Sequence, residues 1–229
     1  MNDLVSEKKR NDDLIVNPTP RCACILVLDT SASMNKSVDG DSPINELNAG
    51  VAKFLEEVKT DELAQYSVEL GVVTAGPNVV TQQPITPAHL IESVNPFSAG
   101  GNTPLGEAVE VALNMLDNRK AEYKRTGTPH YQPWLVIISD GKPTDSWQKS
   151  ASRASVMANN KKLVVMPIGV SGADLSILSQ FSNRPAKAIA GLKFSEFFAW
   201  LSASMARVSA SASTSSQVNL PSTGSWDTI

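Results

Sequence analysis

The 229 residues predict an α/β protein, a doubly wound and mostly parallel sheet with one antiparallel edge strand and helices on both faces. Three observations carry that prediction. Short apolar runs alternate with segments whose apolar residues recur at helical spacing. The run 22–28 is nearly continuous, as in a strand covered on both faces. The run 78–83 follows the turn Gly76-Pro77-Asn78 directly, which makes it an antiparallel edge strand.

Residues 1–20 are polar and end in Asn-Pro-Thr-Pro, whose prolines favour an extended approach to the first strand at 22–28. In 41–59, Asp41 or Ser42 suits a helix N-cap and Pro43 the first helical position. Ile44, Leu47, Val51, Phe54, Leu55 and Val58 then fall on one stripe. Val68, Leu70 and Val72 alternate in a second strand over 66–76, ahead of the edge strand. The clearest helix spans 103–125, opening on Thr103-Pro104 with Leu105, Ala108, Val109, Ala112, Leu113 and Leu116 on one face. A buried strand follows at 134–140, then a weaker helix over about 147–160 and a strand at 163–170. Pro167 inside that strand predicts a bulge or an incomplete ladder. The last helices fall at 173–182 and 194–208, with a short strand near 187–191 between them; Phe194, Phe197, Phe198 and Leu201 read as core. From Ser209 the chain is Ser/Thr-rich without periodicity, either flexible or tied down by Trp226. The expected division is an extension at 1–20, one domain at 21–208 and a tail at 209–229.

A hydrophobic fraction of 41% and a charged fraction of 19% suit a globular protein with a sizeable core. The net charge of −3 gives no electrostatic case for nucleic acid or an anionic membrane. No apolar stretch approaches the roughly 18 residues that span a bilayer. The opening segment lacks the apolar core of a secretory signal. Cys22 and Cys24, two apart on a strand, share one face. Their spacing suits a disulfide poorly and two ligands do not make a zinc site, so they read as buried thiols in a reducing cytoplasm.

Ligands in open α/β sheets bind outside the carboxyl ends of the strands, where strand order reverses. Asp29 and Asp140 are each the first polar residue after an apolar strand, so both project from that rim. Three loops converge there: 29–33, 100–107 and 139–145. Together they offer two carboxylates, Asp29 and Asp140, and three hydroxyls, Ser31, Ser33 and Thr103, with no imidazole or thiol. An all-oxygen set suits Mg²⁺ or Mn²⁺, with Ca²⁺ behind them, and disfavours zinc and copper. Gly100 and Gly101 allow the middle loop a close approach.

The order Asp29-x-Ser31-x-Ser33, then Thr103, then Asp140 resembles the metal-ion-dependent adhesion site of the von Willebrand factor A domain family. The resemblance implies a Rossmann-like sheet and a non-enzymatic interaction module. Ser31, Ser33 and often Thr103 would contact the metal directly, while the aspartates act through water. Hydroxyls are neutral, so a divalent ion they hold keeps unsatisfied charge for a partner's carboxylate or phosphate. The stretches 41–51, 100–110, 131–147, 194–211 and 218–226 are further similar to bacterial TerY-type tellurite-resistance proteins. That likeness implies a cytoplasmic adaptor or scaffold in a stress-response system, with kinase- or phosphatase-like protein partners and no nucleic acid or membrane. Two positions depart from the pattern. Ala32 replaces a common glycine, and Lys142 stands where an acid is frequent, which lowers the negative potential of the site.

Plainer roles stand beside these. Thr103 before Pro104 is also an ordinary N-cap, and a helix N-terminus is electropositive, so nearby aspartates must offset it. Asp145 reads as a turn or cap residue, and His89 and His130 as surface residues. Arg119, Lys120, Lys124 and Arg125 form a basic end that suits the helix dipole or meets a partner. The alternative function is a Mg²⁺-dependent phosphohydrolase of the haloacid-dehalogenase type. It needs a second acid two residues after its nucleophilic aspartate, and here that position is Ser31.

Overall fold

A computed structural model describes residues 2–36, 41–170, 172–189 and 193–224. Six strands form one sheet in the order β3-β2-β1-β4-β5-β6. They are β1 Cys22–Asp29, β2 Val68–Ala75, β3 Val79–Pro87, β4 Trp134–Ser139, β5 Val164–Gly169 and β6 Lys187–Ala188. Only β3 runs antiparallel, against β2 at the edge. The helices are α1 Asn2–Val16, α2 Pro43–Thr60, α3 Ala64–Ser67, α4 Leu105–Thr126, α5 Gln148–Asn159, α6 Leu175–Ser179 and α7 Phe194–Ser209. Among the described residues no helix is long and apolar enough to cross a membrane.

All eight residues of β1 are buried, because helices cover both faces. Cys22, Cys24, Leu26 and Leu28 belong to the core under α2 and α7. Ala23, Ile25 and Val27 belong to the core under α4 and α5. Each apolar side chain buried this way contributes roughly 1.5–3 kcal/mol, and a one-residue slip would exchange the two sets. The central strand therefore fixes the register of its neighbours. Cys22 and Cys24 are buried free thiols as expected; burial, with Glu69 nearby, pushes the Cys22 thiol up to about 12.

The sequence-predicted stripe of α2 is buried throughout, and Ser42 is its N-cap residue with Pro43 first in the helix. Pro167 causes no bulge: β4 and β5 pair continuously from Trp134↔Val164 to Ser139↔Gly169. On its other side β5 meets β6 only at Ile168 and Gly169, so the missing N–H falls where the ladder is incomplete. The tail from Ser209 is tied down as far as Pro221; Trp226 lies outside the described residues. Val218 and Leu220 pack against the α2–α7 core, and Trp200 Nε1 donates to the Pro221 carbonyl at 2.9 Å.

At the amino ends of the strands one element was not expected and two expectations need correction. Most of the 1–20 segment is helical, as α1, and the approach that Pro18 and Pro20 shape is the non-helical link at 17–20. Arg119 is not part of an exposed basic end. The apolar stripe of α4 continues at helical spacing through Arg119 and Tyr123, which brings both down on fully buried Glu69 of β2. Arg119 Nε and Nη2 reach the two Glu69 oxygens at 2.7 Å each, and Tyr123 donates to Oε2 at 2.5 Å. Arg21, wholly buried, lies 3.9 Å from Glu69 Oε1 and 2.8 Å from Asp13 of α1. His89 and His130 are half-buried, not surface residues. His89 sits between Asp13 at 3.2 Å and the Gln65 carbonyl at 3.1 Å, and His130 stacks on Tyr123 at 5.0 Å.

Candidate metal centre

Strand order reverses between β1 and β4, and the predicted site residues gather at the carboxyl ends of those two strands. Asp29 is the last residue of β1 and is fully buried. Its Oδ1 accepts the Ser31 N–H at 2.9 Å and its Oδ2 accepts the Ser139 hydroxyl at 2.7 Å. Burial is the largest influence on this carboxyl and holds its pKa above the usual value. The hydrogen bonds from Ser31 and Ser139 oppose that, and the nearby Asp140 charge reinforces it.

Ser31 opens a single 3₁₀ turn at Ala32–Asn35, which places Ser33 beside it; the two hydroxyl oxygens are 2.9 Å apart. That separation is a hydrogen bond in which either hydroxyl can donate, so the two oxygens share one small volume and each keeps a lone pair beyond it. Both carboxylate oxygens of Asp29 accept protein donors, so Asp29 orients this loop.

Backbone bonds lace the three loops together. Ala32 N–H donates to the Gly101 carbonyl at 3.1 Å and Gly100 N–H to the Thr30 carbonyl at 2.8 Å. Gly101 has φ 67°, and a Cβ there would lie 2.6 Å from Pro77 Cα, so this position requires glycine. Thr103 donates its N–H to the Thr144 hydroxyl at 3.1 Å and accepts from the Thr144 N–H at 2.9 Å, which joins the second loop to the third. Asp140, 9% exposed, accepts the Lys142 N–H at 3.2 Å through Oδ1.

Thr103 is not the cap of α4. Asp145 fills that role from the third loop, accepting the Gly106 N–H at 3.1 Å and the Glu107 N–H at 2.8 Å. The carboxylate covers the positive end of the helix, which removes the electrostatic objection to a cation beside it. The Thr103 hydroxyl makes no protein hydrogen bond among the described residues. Lys142 is exposed, and its charge helps hold Asp174 below the usual carboxylate range, behind the larger effect of the Ser176 hydroxyl.

Two supports went unread in the sequence. Ser139 is the one hydroxyl in an otherwise apolar strand, and it links Asp29 to the Gly141 N–H at 3.0 Å. Asp174 donates its N–H to the Asp140 carbonyl at 2.9 Å, fixing the third loop against α6. Among the described residues no three carboxylate, imidazole or thiol groups cluster as metal ligands; the groups gathered here are two carboxylates and three hydroxyls.

The von Willebrand factor type A domain matches residues 24–200, most of the chain. The chain belongs to this family. Its members are generally adhesion or interaction modules. Three solved structures share the fold. Proximal thread matrix protein 1 of the mussel byssus is 18% identical with a TM-score of 0.58, over 82% of this chain and 48% of that one. The pilus adhesin SpaC of Lactobacillus rhamnosus GG is 14% identical with a TM-score of 0.66, over 82% of this chain and 31% of that one. A von Willebrand factor type A protein of Catenulispora acidiphila is 15% identical with a TM-score of 0.60, over 82% of this chain and 43% of that one. At such identities the likeness is one of fold, and the present chain spans less than half the length of each. No curated protein matches the sequence.

Proposed function

We propose that this von Willebrand factor A domain is a cytoplasmic, cation-dependent protein-interaction module, an adaptor or scaffold without catalytic activity. Ser31, Ser33 and Thr103 hold Mg²⁺ or Mn²⁺ directly, Asp29 and Asp140 steady that shell, and a partner's carboxylate or phosphate completes it. The observation that carries this reading is the hydroxyl pair of Ser31 and Ser33 at 2.9 Å, beside a Thr103 hydroxyl relieved of capping by Asp145. The likeness of the flanking stretches to TerY-type proteins supports a role in tellurite resistance or a related stress response, alongside kinase- or phosphatase-like partners.

Thermal unfolding with and without the ion tests the site. At a cation concentration of 100 times Kd the expected gain is about 2.7 kcal/mol, a rise in Tm of roughly 5–10 °C. The double variant Ser31→Ala, Ser33→Ala should lose that rise, and a full response in it would put the ion elsewhere. The phosphohydrolase alternative finds no support, since Ser31 stands where the acid/base is needed. Turnover of a phosphomonoester that Asp29→Asn abolishes would overturn the present reading in its favour.

A further inference from the structure

We propose a second interaction surface, a basic groove that takes an acidic, partly apolar segment of another protein. An open groove of about 1600 Å³ runs between α4, α5 and the chain segment 214–220. Toward the amino ends of the strands Lys124, Lys161, Lys162 and Arg184 line it, all exposed. None of the four is paired with a carboxylate among the described residues. The acid in the groove, Asp117, is already held by Lys120 at 3.3 Å and Arg153 at 2.7 Å. A chain of net charge −3 thus concentrates uncompensated positive charge in one concave place.

The groove is not purely electrostatic. Val156 is 54% exposed there, and partly buried Met157, Val218 and Leu220 add apolar surface. A further sign lies in the backbone. α4 ends with Gly127 at φ 70°, where the left-handed conformation is free of strain. α5 closes with the same motif: Lys161 N–H donates to the Ala158 carbonyl at 3.0 Å and Lys162 N–H to the Met157 carbonyl at 2.9 Å. Yet the left-handed residue there is Lys161, at φ 54°. A lysine at a position that suits glycine costs stability, and the groove gains a cation from it.

An acidic protein segment fits these features better than nucleic acid does. Tyr131 and Trp134 in the lining are buried and the half-buried His130 ring is already packed on Tyr123, so no free ring is offered for base stacking, and the net charge opposes a long polyanion.

The test is fluorescence anisotropy with a labelled twelve-residue peptide of alternating Glu and Leu, with oligo-dT of equal length as competitor class. Peptide binding should weaken with salt and by more than tenfold in the variant Lys124→Glu, Lys161→Glu, Lys162→Glu, Arg184→Glu. Lys161→Gly separates folding from binding: it should raise Tm while weakening the peptide. Binding should survive EDTA and the Ser31→Ala, Ser33→Ala change, which keeps this surface distinct from the metal site. Absent peptide binding, unchanged binding by the charge-reversed variant, tighter binding of the oligonucleotide, or loss with EDTA would each overturn the proposal.

Discussion

At the amino ends of the strands Glu69, Arg21, Arg119 and Tyr123 are buried and turned on one another, with almost every polar group committed inside the protein. At the carboxyl ends the polar groups are just as close together, but the Ser31, Ser33 and Thr103 hydroxyls retain capacity that the protein does not use. The first cluster sets the guanidiniums of Arg21 and Arg119 against the carboxylates of Glu69 and Asp13, with the Tyr123 hydroxyl on Glu69; the second is made of neutral hydroxyls backed by carboxylates. A closed set of that kind contributes to holding a fold, because removing one member strands a buried charge. An open set can accept something from outside. The same sheet thus keeps an anchoring end and a receiving end.

The contrast can be broken by mutation. The largest effect is expected from Glu69→Ala, which leaves Arg119 and Arg21 buried without their shared partner. Denaturant unfolding should show a loss of about 3–5 kcal/mol. A loss below about 1 kcal/mol would mean that the amino end is no anchor. A smaller effect is expected from Asp145→Ala, which uncaps α4 and should cost about 0.5–2 kcal/mol by the same measurement. That variant also sharpens the picture of the receiving end. The Thr103 hydroxyl becomes the natural substitute cap, so the cation response should weaken with it.

The smallest effect concerns Asp29. Its pKa is raised in the folded protein above the ordinary 3.8, chiefly by burial. The folded state therefore holds this proton more tightly than the unfolded chain does, and metal-free stability falls as pH rises from 3.8 through the raised value. Asp29→Asn does not titrate. Urea unfolding without divalent cations should find it equal to the wild type below that window and gaining on it above. The opposite sign would show that the Ser31 and Ser139 hydrogen bonds outweigh burial.

The receiving end was legible in the sequence because each of its loops follows an apolar strand or precedes a strongly periodic helix. Position along the chain then fixes position in space. Asp145 reads as a turn or cap residue from the sequence and is a cap, although the N–H groups it caps lie 39 and 38 residues before it. Ser139 and Asp174 were harder to place, since a serine ending a strand and an aspartate before a short helix have ordinary local explanations. The anchoring end was not legible. Glu69 lies 50 residues from Arg119 and 54 from Tyr123, and charged residues in amphipathic segments read as solvated. Only the extension of the α4 stripe through Arg119 and Tyr123 hinted otherwise. The terminal helix α1 was not legible because its polar composition gives little periodic signal.

The ion pair between Asp13 and Arg21 bears on where the chain can be cut. Asp13 lies outside both the region that matches the family and the compact unit drawn from residue 21 onward. A recombinant fragment begun at residue 21 keeps the Arg21 guanidinium in the interior while discarding the carboxylate that faces it, and one begun at residue 24 loses both. Trimming to homology limits, a routine step before crystallisation, would here remove part of the fold's own foundation.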